Sequence, residues 1–376
     1  MGPLLRGPFR WGLSVAALAV IALAAAAPAD AIVGGDAAPP GRWPWMAALL
    51  NSSVTDAGRA QFCGGVVIGR HRILTAAHCV VDTASDEVDV LVGRTRLSEP
   101  QGRRLAVKSI SVYPGYVDQS RRGLDAAVLT LRADIGVPPV ALARPSQAAA
   151  WAPGTSAWTI GWGQINAGPS PGGHLYYADR LRELQLPVQG DPACESAYGI
   201  GFVDFPYRPA WLLCAGTGAG GTGPCHGDSG GPLVVGAPGA WLDVGILSGG
   251  DQCAARGYYD LYARVDRIST FALQANPPAQ PDPLALPRVV GDARAGALVR
   301  CTAGRWRGGP ARLSFAWTRL GDRSHRVVGR GRTYRLSAGD ARRGVTCSVT
   351  ATSRGGRVTV AAKPLRPAPA GRPRRS

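Results

Sequence analysis

Short apolar runs separated by turn residues set the pattern of this chain: Met46 to Leu50, Gly65 to Ile68, Val88 to Val92, Ala126 to Leu131 and Leu233 to Val235. Runs of that length predict β-strands rather than helices. Alternation in Leu313-Ser314-Phe315-Ala316-Trp317 and in Val345-Thr346-Cys347-Ser348-Val349 predicts two more strands, each with one face inward. One segment reads differently. Val265, Ile268 and Ala272 fall at helical spacing beside Asp266, Arg267 and Gln274, which predicts a short amphipathic helix. Directly after it, the stretch from Gln274 to Pro287 is rich in proline, which lacks an N–H and has a fixed φ, so an extended linker is predicted there. No fixed-period repeat occurs, which sets aside solenoids and propellers. The pattern is that of an all-β protein with a short helix before a linker.

Composition agrees: 51 Gly and 31 Pro against 2 Met suit short strands and many turns better than a helical bundle. At 376 residues there is room for more than one domain. Charge divides the chain. Residues 277–376 hold 21 Lys and Arg against 4 Asp, the whole of the net +17, so everything before Pro277 is balanced. At the other end, Arg6 and Arg10 precede an apolar run from Trp11 to Ala27, the layout of a secretory signal peptide. That run is broken by Gly12 and Ser14 and is short for a bilayer span of about 20 residues, so cleavage, export and no remaining membrane span are expected. An exported chain can form disulfides. Its 8 cysteines include no CxxC pair, and residue spacing alone leaves about 105 pairings open.

Three features carry possible chemistry. Ser229 lies in Gly227-Asp228-Ser229-Gly230-Gly231-Pro232, where glycines let the backbone turn and bring N–H groups to a bound carbonyl. A serine hydroxyl is a poor nucleophile without a base and a group to orient that base. His78, in Thr75-Ala76-Ala77-His78-Cys79, follows two apolar runs and is the candidate base; Asp125 stands at the mouth of the Ala126 to Leu131 run and is the candidate orienting acid. Singly, each is more often structural: a turn, a packed histidine, a cap. Together, in the order His, Asp, Ser and with Ile32-Val33-Gly34-Gly35, Gly161-Trp162-Gly163 and Tyr262-Ala263-Arg264-Val265, they resemble the chymotrypsin/trypsin-like serine proteases from Ile32 to about Gln274.

The resemblance implies two packed six-stranded antiparallel β-barrels, with His78 and Asp125 from the first and Ser229 from the second. It implies oxyanion donors at the Gly227 and Ser229 amides, protein or peptide substrates, a monomer, and a cycle that uses no metal and no cofactor. It also implies the bridges Cys63–Cys79, Cys194–Cys214 and Cys225–Cys253, and a free Ile32 amine buried against Asp228 once the N-terminus is cut. The residues before Ile32 are Ala29-Asp30-Ala31 rather than a basic site. Signal cleavage after Ala31 would activate directly, and cleavage after Ala27 would leave residues 28–31 as a short prosegment. The expected organisation is signal peptide 1–31, protease domain 32–275, linker 276–288, basic module 289–364 and an Arg/Pro-rich tail 365–376.

Six residues before the nucleophile, where the family places the floor of the primary pocket, stands Gly223 rather than an acid. Asp260 occupies a pocket-wall position that the family usually fills with Gly, and Ser248, Gly249 and Gly250 match the segment that pairs with substrate backbone. An acid moved across the pocket favours cleavage after Lys or Arg; were Asp260 turned outward, elastase- or chymotrypsin-like specificity would follow. An inactive protease-like binding protein is the rival class, against which all three triad residues are present. The pattern Gly-x-Ser-x-Gly also fits a lipase elbow, but there the serine would come first. Cys301, Trp317 and Cys347 have the order and spacing of an immunoglobulin-like sandwich with a Cys301–Cys347 bridge, although Val345 stands where that fold commonly has Tyr. The basic charge makes an acidic polymer or cell-surface ligand a candidate partner of the module.

Overall fold

The computed structural model describes residues 32–116, 124–168, 176–199, 207–321 and 326–368. The expected signal peptide 1–31, with the candidate prosegment, and residues 369–376 of the expected tail lie outside them.

Six strands close into a first barrel in the spatial order Met46–Asn51, Gln61–Gly69, Arg72–Thr75, Ala127–Leu131, Arg103–Val112 and Val88–Val92, with the last pairing back onto the first. The apolar runs are buried on both faces of the barrel wall: Leu49, Val66, Ile73, Leu74, Val128 and Leu129 are all fully buried, and consecutive residues such as Ile73 and Leu74 point to opposite sides. Register shifts at Leu49/Leu50, Val67/Gly69 and Val107/Ser109 bend the strands so that the sheet can close on itself.

A second sheet of eight strands follows, in the order Asp36–Ala37, Arg182–Pro187, Ser156–Gly161, Pro232–Val235, Leu242–Gly249, Asp260–Arg264 and Leu212–Ala215, with Ala141–Leu142 pairing alongside Leu242–Gly249. The residues just after Arg182–Pro187 reach the Leu212–Ala215 strand through the Val188–Ala215 bridge and the bond from the Gln189 N–H to the Cys214 carbonyl (2.9 Å). The helix Val265–Ala272 then buries Val265, Ile268 and Ala272, the face expected from their spacing, and also Phe271, Asp266 and Ser269. One continuous apolar core runs through both barrels. Among the described residues, no helix is long and apolar enough to cross a membrane.

The C-terminal part has its own core, built from two sheets. Val289–Val290, Leu298–Cys301 and Thr333–Arg335 form one; Arg326–Arg330, Arg312–Arg319, Val345–Ser353 and Gly356–Ala361 form the other. Cys301–Cys347 ties the sheets together beside Trp317, which is fully buried and stacks on Tyr334. The Pro-rich stretch is not a free linker. Asp282–Ala285 pairs with Arg305–Arg307, with the register broken between Pro283 and Ala285, which tolerates a proline on an edge strand. Leu365 and Ala368, expected in a tail, hydrogen-bond to Val345 and Ala293. The other three disulfides join Cys63–Cys79, Cys194–Cys214 and Cys225–Cys253, leaving no free cysteine.

Candidate active site

His78 sits in a single 3-10 turn, Ala77–Cys79, directly after the Arg72–Thr75 strand. Asp125 stands just before the Ala127–Leu131 strand, and Thr75 pairs with Ala127, so the two residues meet at one end of the first barrel. His78 Nδ1 lies 2.7 Å from Asp125 Oδ2, and the His78 backbone N–H donates to Oδ1 at 2.9 Å. Ser248 Oγ donates to Oδ2 from the second barrel at 2.6 Å. Burial pushes the Asp125 carboxyl up, but the charge and hydrogen bonds of His78 and the Ser248 hydroxyl together bring it below its ordinary value. A carboxylate held ionised at Nδ1 fixes the proton there, which leaves Nε2 as the acceptor.

Ser229 lies on the loop before Pro232–Val235. The Gly64 N–H donates to the Ser229 carbonyl (2.7 Å), and Gln61 Nε2 donates to the Gly227 carbonyl (2.7 Å). Gly227 and Gly230 adopt φ +90° and +79°, and a Cβ on Gly230 would lie 2.3 Å from Thr75 Oγ1, so the motif's glycines answer both a backbone and a space requirement. The Gln61–Gly69 strand thus reaches both the His78 turn and the serine loop: Cys63 is bonded to Cys79 beside His78, while Gln61 and Gly64 hold the serine loop. Ser248 at Asp125, and Gln61 and Gly64 at the serine loop, are contacts that sequence reasoning missed, because the partners lie 123 residues or more apart.

His78 and Ser229 line one cavity of about 140 Å³, together with Ser248, Gly249, Gly250 and Asp260. A Cβ on Gly223 would lie 3.1 Å from Asp260 Oδ2, and one on Gly250 3.8 Å from its Oδ1. The carboxylate therefore occupies room that glycine leaves at position 223. Burial, and then the neighbouring Asp228, push the Asp260 carboxyl well above its ordinary value. His226 and Gln252 also line this cavity and were not singled out from the sequence. A larger depression, about 860 Å³, lies between Trp45, Pro139 and Trp241 and is lined by no serine, histidine or carboxylate.

Asp228, 1% exposed, accepts from the Gly163 N–H (2.7 Å) and the Cys225 N–H (3.0 Å), and among the described residues no cationic side chain pairs with it. Burial raises its pKa to about 7, against the pull of those two N–H donors. Ile32 is fully buried, and the next residue, Val33, accepts the Gly223 N–H at 3.0 Å, so the segment after the expected cleavage point is inserted beside this loop.

The trypsin family model matches residues 32–272. The chain is 38% identical over 234 residues to "Trypsin" of Saccharopolyspora erythraea, covering 62% of this chain and 93% of that protein. It is 35% identical over 232 residues to "Serine protease 28" of Mus musculus, covering 59% and 81%. With "Serine protease 56" of Homo sapiens it shares 33% over 242 residues, 62% of this chain but 37% of that protein. The chain belongs to the trypsin family of serine proteases. Its matched part is a serine peptidase fold, with a further β-rich part after it.

Proposed function

We propose that the protein is a secreted serine endopeptidase in which Ser229 attacks the substrate carbonyl, His78 takes and returns the proton, and Asp125 fixes the imidazole. The observation that carries this reading is the 2.7 Å pairing of His78 Nδ1 with Asp125 at the rim of the cavity that Ser229 shares. Attack forms the Ser229 Oγ–carbonyl bond as the hydroxyl proton passes to His78 Nε2. Collapse expels the amine, protonated by His78, and water then repeats the sequence to release the acid. Gly227 and Ser229 N–H groups would stabilise the oxyanion, with Gln61 holding their loop. The four disulfides and the family favour an extracellular site. A mixed peptide library digested beside a Ser229→Ala control tests the proposal: cuts absent from the control are expected, and cutting that survives Ser229→Ala refutes it.

Specificity for Lys or Arg is favoured by the Asp260 carboxylate in the space that Gly223 leaves. Because the Asp260 pKa is raised, the empty pocket holds a neutral acid at low pH and gains its charge only as pH rises. Preference for basic over apolar residues, measured as a ratio of kcat/KM values, is therefore expected to grow with pH; a ratio independent of pH would exclude Asp260 as its source. A neutral Asp260 supports the second reading, a pocket for leucine-, phenylalanine- or tyrosine-sized residues.

Activation is proposed to bring a free Ile32 amine to Asp228. Without that partner, Asp228 titrates near 7 in the folded chain and near 3.8 unfolded. The unfolded state then gives up its proton first, so this carboxyl costs stability progressively as pH rises between those values. In chain not yet cut before Ile32, Asp228→Asn is expected to raise the melting midpoint at pH 8 and to change it little at pH 4. An equal change at both pH values would contradict the assignment. The C-terminal part is proposed to be an immunoglobulin-like module whose Arg-rich surface suits an acidic polymer.

A further inference from the structure

The loop that follows His78 and the strand that pairs beside the Asp125 segment are both gripped from outside by the C-terminal part of the chain. Val80–Ser85 leaves the His78 turn directly. There Gln280, 4% exposed, donates its Nε2 to the carbonyls of Val80 (3.3 Å) and Thr83 (2.5 Å). Asp82, a non-glycine residue at φ +61°, gives its N–H to the Arg357 carbonyl (3.2 Å). Its carboxylate takes the Arg357 guanidinium at 3.2 Å and the Thr359 hydroxyl at 3.4 Å. Asp282 accepts both the N–H and the hydroxyl of Ser85, at 3.1 and 2.9 Å.

The second stretch is the end of the Arg103–Val112 strand. The Ile110 carbonyl accepts the Gln280 N–H (2.7 Å), and the Val112 N–H donates to Gly355 (2.8 Å). Val112 pairs with Ala127, and the Tyr113 N–H donates to Ala126, the residue after Asp125 (2.8 Å). Ser353 Oγ binds the Ala279 carbonyl (2.8 Å), which locks the hairpin carrying Arg357 to the segment carrying Gln280. A positive φ is uncommon outside glycine, though aspartate adopts it more readily than most residues. At Asp82 it is accompanied by the Arg357 ion pair and the bond to the Arg357 carbonyl.

We infer that the C-terminal part of the chain, the Pro-rich segment together with the module, is a brace for the catalytic base: Gln280 and Arg357 are positioning residues that hold the loop after His78, and through it the imidazole. This rests on the reading of His78 given above. The full mature chain is compared with Gln280→Ala, Arg357→Ala, Arg357→Lys and Val349→Ala, the last removing a fully buried side chain from the module's own core. For each, kcat, KM, the pH profile of kcat/KM and the melting midpoint are measured. Small misplacements of a catalytic group are costly, so Gln280→Ala and Arg357→Ala are expected to lower kcat about tenfold. KM should stay within about twofold, and the acid limb of the pH profile should move. Arg357→Lys, which keeps the charge, should recover most of the rate. Val349→Ala should lower the midpoint and leave kcat and the profile in place. Wild-type kcat and profile in Gln280→Ala and Arg357→Ala overturn the inference, and so does a profile displaced equally by Val349→Ala. Wild-type cleavage that survives Ser229→Ala would instead bring down the peptidase reading itself, and this inference with it.

Discussion

Ser229→Ala is expected to lower kcat for peptide hydrolysis by about a millionfold, the scale on which a serine-triad enzyme depends on its nucleophile. KM should change little, because the pocket walls at Ser248, Gly249, Gly250 and Asp260 stay in place. His78→Ala should cost about the same, and the double variant scarcely more, since nucleophile and base act as one unit. Additive losses in a double-mutant cycle would indicate that the two residues work independently. That outcome would be at odds with Nε2 being left as the acceptor when Asp125 occupies Nδ1 at 2.7 Å.

Asp260→Asn is expected to have the second-largest effect, and only on basic substrates. A carboxylate about 4 Å from a bound guanidinium or ammonium is worth about 4 kcal/mol at an effective dielectric near 20, which is about a thousandfold in kcat/KM. Substrates with leucine or phenylalanine before the cut lose no ion pair and should be cleaved at close to the wild-type rate. The comparison is a ratio of kcat/KM values for matched peptides differing only at that residue. A uniform loss across all peptides would assign Asp260 a structural role instead. The fate of the ratio also separates the two specificity readings, since a pocket that prefers apolar residues would be improved by neutralising its acid.

The barrels were legible because their strands are short apolar runs buried on both faces. The Val265–Ala272 helix was legible because its period matches its buried face. The triad candidates were visible in local motifs, and the structure brings His78, Asp125 and Ser248 into one hydrogen-bonded cluster. What stayed hidden is long-range. Nothing around Gln61 marks it as the support of Gly227, 166 positions away. Proline content predicted an extended linker from Gln274 to Pro287 and gave no sign of its contacts, yet Gln280 is buried against Val80 and Thr83 and Asp282 accepts from Ser85. Side-chain bonds to carbonyls leave no period in the sequence, and a proline-rich strand suits an edge position that hydropathy does not reveal. Counting residues located Asp260 in the pocket wall, but only coordinates relate its carboxylate to the space at Gly223.

The central claim is that Ser229 is an activated nucleophile, and labelling with a fluorophosphonate followed by mass-spectrometric location of the adduct tests it most directly. The mature chain is expected to carry a single adduct on Ser229, lost in Ser229→Ala and in His78→Ala. An unlabelled protein, or an adduct elsewhere that persists in Ser229→Ala, would contradict the account and favour a protease-like binding protein.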